Sequence, residues 1–359
     1  MTYTIITPYL IPQNLQRIKA VNIGDGFILS TIQKLLYPFK CQYLLSSRSE
    51  LTDDDIDKIN LTKAVILAGA NQLNDNFSIT PNFTLKTLEK IKVPVIPFAI
   101  GIHGDPSFNQ GMSDLTKDLL KEIHQRSRFS SWRCPDTIQY LTTFLPDIAD
   151  QFLMTGCSVM YGDGSLSGTI STPSSNRVIV TVTERDNFWE REVKTLNFVA
   201  KRYPQHQKIL SLHQDFVALE KQGLVASAIS KIKENIPLYS SQKLRFTPKS
   251  LRNYAKSIGY QIFIPQSVEQ CFEFYKLAGI HYGSRLHAHL WFLSQGKPSF
   301  LTYVDNRCVG FSTSLGFPLC DPGHFADYLH QSQHSSSEVF RKHFTSMQLF
   351  TNYLKSDIL

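Results

Sequence analysis

The segment Gly283-Ser284-Arg285-Leu286-His287-Ala288-His289 holds the densest chemistry in the sequence. Gly283 allows close backbone approach, Ser284 is of a type that caps helices, and the free N–H groups of a first helical turn attract an anion. Arg285 adds a planar fork suited to two oxygens of a carboxylate or phosphate, and His287 adds a group able to exchange a proton near neutral pH. Together they describe an anion site with an acid beside it. On residue types alone, an amphipathic helix start with Arg285 in a surface ion pair and His287 in the core fits about as well. His289, four residues after Arg285, reads as structural or as support for the site.

Other candidates stand where apolar runs end. Asn22-Ile23-Gly24-Asp25 closes a loop and opens a helix, with Gly24 letting a ligand reach backbone amides, although Asp25 also suits any first helical turn. Small residues follow two further apolar runs, at Gly69, Ala70 and Asn71 and at Gly101, His103 and Gly104. Arg133 follows Trp132, with Asp136 near enough in sequence to pair with it; Arg185 and His213 follow later runs. Asp305 could orient a sugar hydroxyl or cap the next helix. No phosphate-loop, dinucleotide, nucleophile-elbow or H-E-x-x-H pattern occurs, and no spacing marks a metal site, so none is expected.

The elements that must position these residues follow from alternation. Strand-like runs at residues 3–7, 42–46, 64–68, 95–100 and 128–132 alternate with helical stretches at 24–36, 53–59, 82–91, 114–126 and 135–144. The first helix is expected to bury one face, through Phe27, Ile28, Ile32, Leu35 and Leu36. A Gly, Ser, Thr and Pro stretch over 161–176 reads as a boundary, after which the pattern restarts. Strands are expected at 178–183, 208–212, 260–264 and 299–303, and helices at 190–203, 216–233, 268–277 and 285–293, with a Gly-rich junction up to Gly283. Ser335 and Glu338 form a capping-box pattern for a last helix. The reading is an α/β chain of two Rossmann-like doubly wound domains: residues 1–165, a linker at 166–176, residues 177–325, and a helical segment at 326–359. Parallel α/β units present their strand ends, and so their ligand loops, to an interdomain cleft.

The 359 residues suffice for two domains, and 42% hydrophobic with 19% charged residues is the mixture of a folded chain. The formal charge of +7 is scattered, which favours anionic small molecules or glycans over nucleic acid. Six dispersed cysteines read as reduced thiols in a cytoplasm, and no apolar run approaches a membrane span.

In their order, Asn22 to Asp25, the turn at Gly69, Gly101 to Gly104, the Arg133 segment, Gly283 to Ala288, Gly296-Lys297-Pro298, and Tyr303 to Phe311 resemble the polysaccharide pyruvyl transferase family over roughly residues 20–315. The stretch 283–311 is the most specific part. Three positions depart from the family pattern: Ala68-Gly69-Ala70 where three glycines are usual, Cys134-Pro135 between Arg133 and Asp136, and Arg307 in place of a lysine. The resemblance implies a GT-B-like fold and transfer of a pyruvyl group from phosphoenolpyruvate to sugar hydroxyls, usually as a cyclic ketal on a bacterial glycan. For that reaction the residue chemistry makes His287 and Arg285 the catalytic candidates and Arg133, Gly283, Ser284 and Arg185 the donor-binding ones. Asn22, Gly24, Asp25, Gly69, Asn71, Gly101, His103, His213 and Asp305 fall to the acceptor or the cleft. The donor is a substrate, no cofactor is called for, and the acceptor is a sugar or glycan, free or lipid-linked. Self-association as a homo-oligomer stays open. Two alternatives share the architecture: a glycosyltransferase using a nucleotide sugar, and a catalytically silent glycan-binding protein.

Overall fold

Continuous apolar runs such as Val65–Ala68 and Val95–Phe98, buried at every residue, are what a parallel strand covered by helices on both faces requires. The computed structural model describes residues 1–12, 21–104, 111–162, 175–217, 247–328 and 336–359. Strands β1 (Thr2–Thr7), β2 (Lys40–Ser46), β3 (Val65–Ala68) and β5 (Val95–Phe98) form a parallel sheet in the order β2-β1-β3-β5. Two short parallel pairs join β4 (Asn71–Leu73) to β6 (Gly101–Ile102) and β7 (Ser130–Trp132) to β8 (Phe152–Met154).

The second sheet consists of β9 (Arg177–Thr181), β10 (Gln207–Ser211), β11 (Tyr260–Phe263), β12 (Ile280–Gly283) and β13 (Ser299–Leu301). Its strands are all parallel, in the order β11-β10-β9-β12-β13. Counted within that half, this is the 3-2-1-4-5 order of a doubly wound sheet, and the first sheet follows a 2-1-3-4 order. Two Rossmann-like parallel sheets facing a shared cleft make an α/β, GT-B-like fold.

Gly283 explains one expectation that fails. The Gly-rich junction expected before it is strand β12, at the middle of the sheet rather than in a loop. Gly283 has φ +136, and a Cβ there would lie 2.0 Å from the Thr181 carbonyl oxygen, so only glycine lets β12 pair this closely with β9. The helix Pro248–Ser257, with Thr247 and Ser250 forming its capping box, is likewise absent from the sequence reading. Of the helix expected at 216–233, residues 218–233 lie outside the described residues, as do linker residues 166–174 and the capping residue Ser335.

The helix Ile23–Leu35 was expected to bury a single face. It is buried nearly all round, including Gly24, Gly26, Leu29 and Thr31. The reason is tertiary: one side packs on the first sheet, and the other meets the helices Val268–Lys276 and Leu286–Ser294 of the second half. Phe27 lies 4.5 Å from the Phe272 ring and 6.2 Å from Tyr275, centroid to centroid. The hydrophobic core therefore runs without a break from Tyr3 and Ile5 to Trp291 and Phe292. Each fully buried large apolar side chain contributes about 1.5–3 kcal/mol, so the helix holds the two halves in one register across the cleft. The last helix, Ser336–Tyr353, returns to the first half, where the Tyr353 hydroxyl accepts the Arg128 N–H at 2.8 Å and Phe350 meets Phe98 edge to face.

Candidate functional site

Where the chain order of a doubly wound sheet reverses, the loops leaving two neighbouring strands diverge and open a crevice at the strand C-termini. In the second half this point lies between β9 and β12, whose ends lead into Val182 and Thr183 and into Ser284 and Arg285. In the first half it lies between β1 and β3, leading toward Asn22 and Asn71. The two crevices form one cleft of about 980 Å³.

Arg285 sits at the N-cap of the helix Leu286–Ser294, and no side chain caps that helix. Ser284, expected as the cap, donates its hydroxyl to Glu192 at 3.3 Å instead. Arg285 Nε–H donates to the Val182 carbonyl at 2.7 Å, Nη2–H to the Thr183 carbonyl at 3.5 Å and Nη1–H to Gln214 at 3.5 Å. A guanidinium has five N–H donors, so two are left for the cleft. No carboxylate among the described residues lies within ion-pair distance of Arg285, so the surface ion pair is not what the structure holds. Burial pulls its pKa down, while the charges of Glu192 and Glu184 pull it back up.

His287 lines the cleft two residues further along, in the first turn of the helix, with Nε2 buried and without a hydrogen-bond partner. Burial, helped by the charges of Arg307, Arg133 and Arg285, pushes its pKa down to about 3. The residue type suggests a group that exchanges a proton near neutral pH; buried here, the ring is neutral at that pH and resists protonation. Gly24 makes this packing possible, because a Cβ there would stand 2.8 Å from His287 Nδ1. Gly24→Ala is expected to displace the imidazole and lower turnover by about 10²-fold, as misplaced catalytic groups do. Equal turnover in the two proteins would show that the ring position does not matter.

Asn22, Gly24 and Asp25 meet Ser284, Arg285, His287 and Asp305 around the cleft, with Asn71 and His103 on the first half's wall and Arg185 and His213 on the second half's. Asn22 caps its helix by accepting the Gly24 N–H at 3.1 Å. His213 is buried, bonded through Nε2 to the Tyr275 hydroxyl at 3.0 Å, and its carbonyl accepts the Ile23 N–H across the two halves. Asp305 both caps the helix Asn306–Leu315 and binds Arg307 through two contacts of 2.8 and 2.6 Å.

Four expected site residues do not line the cleft. Gly283 lies in the sheet, and Gly69 presses on the Ala99 carbonyl. Arg133, expected to reach the donor, is 1% exposed, its Nε and Nη1 without hydrogen-bond partners and its guanidinium over the Phe311 ring at 5.7 Å. Gly101 permits this, since a Cβ there would fall 2.2 Å from Arg133 Nη2. Conversely, the structure brings in Arg48 and Arg307, which the list of candidate site residues lacked. Arg48 follows β2 just as the chosen residues follow other strands, and its Nη2 stands 3.7 Å from Asp25. Burial pushes the Asp25 carboxyl pKa up, and the Arg48 and Arg307 charges oppose that.

His281 and His287 are held at about 3, and His213 and His289 well below the ordinary value, all chiefly by burial. Below an unfolded pKa of about 6.5 the unfolded chain therefore binds more protons than the folded one. Stability is expected to be fully present above that pH and to fall toward pH 3, by up to about 1.4 kcal/mol per histidine per pH unit. A urea midpoint that does not drop between pH 7 and pH 5 would contradict buried neutral rings.

Residues 22–306 match the family model of polysaccharide pyruvyl transferase. No curated protein matches the chain. Among solved structures, UDP-GlcNAc 2-epimerase from Neisseria meningitidis bound to UDP-GlcNAc is similar at 12% identity and TM-score 0.48, over 98% of this chain and 99% of that one. The MnaA–UDP structure from S. aureus is similar at 12% and 0.49, over 99% and 95%. The accessory secretory protein 1, 2 and 3 structure from Streptococcus pneumoniae matches 82% of this chain at 11% and 0.40, and the chain spans 50% of its length. Among the described residues, no helix is long and apolar enough to cross a membrane. With a family match over most of its length and the late Arg-x-His element at a switch point of the second sheet, the chain belongs to the polysaccharide pyruvyl transferase family and is a transferase.

Proposed function

We propose that the protein moves a pyruvyl group from phosphoenolpyruvate to sugar hydroxyls of a glycan or glycan precursor, forming a ketal and releasing phosphate. The observation that carries this reading is the cleft itself, lined by Arg285, Arg307, Arg185 and Arg48 together with a neutral His287. Phosphoenolpyruvate has a phosphate and a carboxylate to be held, and charge-assisted bonds contribute roughly 1.5–3 kcal/mol each. Arg285 takes one of these groups with its two free N–H donors.

As a sugar hydroxyl adds to the enol carbon that bears the phosphate, its proton passes by way of the His287 ring to the methylene carbon, which becomes the new methyl group. The C–O bond to phosphate then breaks, a second hydroxyl closes the ring, and the last proton leaves with the phosphate. Of the two hydroxyl protons, one ends in the new methyl group and one on phosphate. A bound anion raises the pKa of a nearby imidazole, so donor binding moves His287 toward the range where it can pass that proton on.

The first half's wall, with Asn71, Gln72 and Ser47, offers the neutral hydrogen-bonding groups a sugar needs, and so faces the acceptor. The scheme calls on no further cofactor. The setting proposed is the cytoplasm, where six unpaired cysteines stay reduced. The test is incubation with phosphoenolpyruvate and a mixed glycan panel, read by mass spectrometry for a ketal-linked pyruvyl gain and by phosphate release. Thermal stabilisation by nucleotide sugars with none by phosphoenolpyruvate would overturn the reading.

A further inference from the structure

Glu192 belongs to the helix Trp189–Arg202, is 2% exposed, and takes no part in the scheme above. Its carboxylate gathers the turns that leave both central strands of the second sheet. Oε1 accepts the Thr183 N–H in a short bond, the Thr183 hydroxyl at 2.7 Å and the Ser284 hydroxyl at 3.3 Å; Oε2 accepts the Glu184 N–H at 3.3 Å.

The same two peptide groups face Arg285 with their other ends. In the peptide joining Val182 to Thr183, the N–H points to Glu192 and the carbonyl accepts Arg285 Nε–H. In the next peptide, joining Thr183 to Glu184, the N–H again points to Glu192 and the carbonyl accepts Arg285 Nη2–H. A trans peptide carries its N–H and C=O on opposite sides, so two consecutive peptide dipoles lie between a carboxylate and a guanidinium, each oriented by both charges. Glu184 holds the turn in the left-handed region, with φ +58, and both oxygens of its carboxylate accept from Arg252, at 2.8 and 3.2 Å. That pairing keeps a strained turn in place.

We propose that Glu192 is the positioning residue of Arg285, acting through the Val182–Thr183 and Thr183–Glu184 peptides to aim its two free N–H donors into the cleft. Of the charges acting on Arg285, that of Glu192 is the largest favourable one. The role of Arg285 on the donor rests on the function proposed above; its orientation by Glu192 does not.

Two measurements separate these ideas. The first follows the Arg285 Nε–H resonance, identified by its loss in Arg285→Lys. Glu192→Gln removes the charge and sets an amide N–H₂ where an acceptor is needed, so the resonance should shift and its hydrogen exchange should quicken. An unchanged resonance overturns the inference, whatever the cleft binds. The second is calorimetric titration with phosphoenolpyruvate. Glu192→Gln should weaken binding by about tenfold or more in the natural background and by less than twofold in Arg285→Lys, since groups acting through one another do not add. Equal losses in both backgrounds mean that Glu192 only stabilises the fold, and overturn the inference. Failure of the natural protein to take up phosphoenolpyruvate counts against the proposed function alone. Should Glu192→Gln not fold, Glu192→Asp keeps the charge on a shorter arm, and an unaltered Arg285 resonance and donor affinity there overturn the inference equally.

Discussion

Arg285→Lys should lower kcat/KM for phosphoenolpyruvate by about 10²–10⁴-fold, because two charge-assisted bonds of roughly 1.5–3 kcal/mol each are at stake. The native guanidinium does two jobs at once. Its Nε–H is committed to the Val182 carbonyl at 2.7 Å, and its outer nitrogens divide their donors between Thr183, Gln214 and the cleft. A lysine ammonium concentrates its three donors at one point and cannot anchor on the backbone while presenting a fork to two oxygens. The loss should fall on the donor and leave the acceptor KM within about twofold, since in this scheme the acceptor faces the other half's wall. Unchanged donor affinity would assign Arg285 to structure.

His287→Gln should reduce kcat by about 10²–10⁴ with the fold intact, the usual contribution of a general acid–base group. Glutamine keeps a polar group of similar reach in the first turn but cannot take up a proton from a sugar hydroxyl. The fold should tolerate the change, because the imidazole is neutral and its Nε2 satisfies no protein partner. Phosphate release at the natural rate by a folded His287→Gln protein would remove His287 from the mechanism. A weakened donor affinity with unaltered kcat would instead make it a binding group.

Much of the fold can be read in the chain because strand and helix signals are local. Asp114–Arg126 and Pro135–Phe144 lie where the periodicity and the N-terminal proline put them, and β1 and β3 differ from the reading by one residue at an end. Strand β12 was missed because its sequence, Ile280-His281-Tyr282-Gly283, mixes a polar ring and a glycine into a short run. Those are the features that let it sit centrally: His281 bonds Thr181 on one side and Ser299 on the other, at 2.8 and 2.7 Å, and Gly283 admits β9. Arg48 was passed over although it follows β2 as Arg185 and His213 follow their strands; what sets it apart is that β2 is only partly buried, so its run reads less clearly as the strand of a cleft.

Residue types and spacing alone determined that an arginine and a histidine stand at a strand-to-helix junction of a late α/β unit, since a glycine, a helix start and a two-residue interval are properties of neighbours in the chain. Only the tertiary structure decided what those groups are chemically. The pKa of His287 depends on how much water the opposite half removes, the aim of Arg285 depends on peptides about a hundred residues away, and Arg133 lies behind the wall because Gly101 leaves it room. Desolvation and electrostatic coupling act through space and fall off with distance in space, and distance along the chain does not report that.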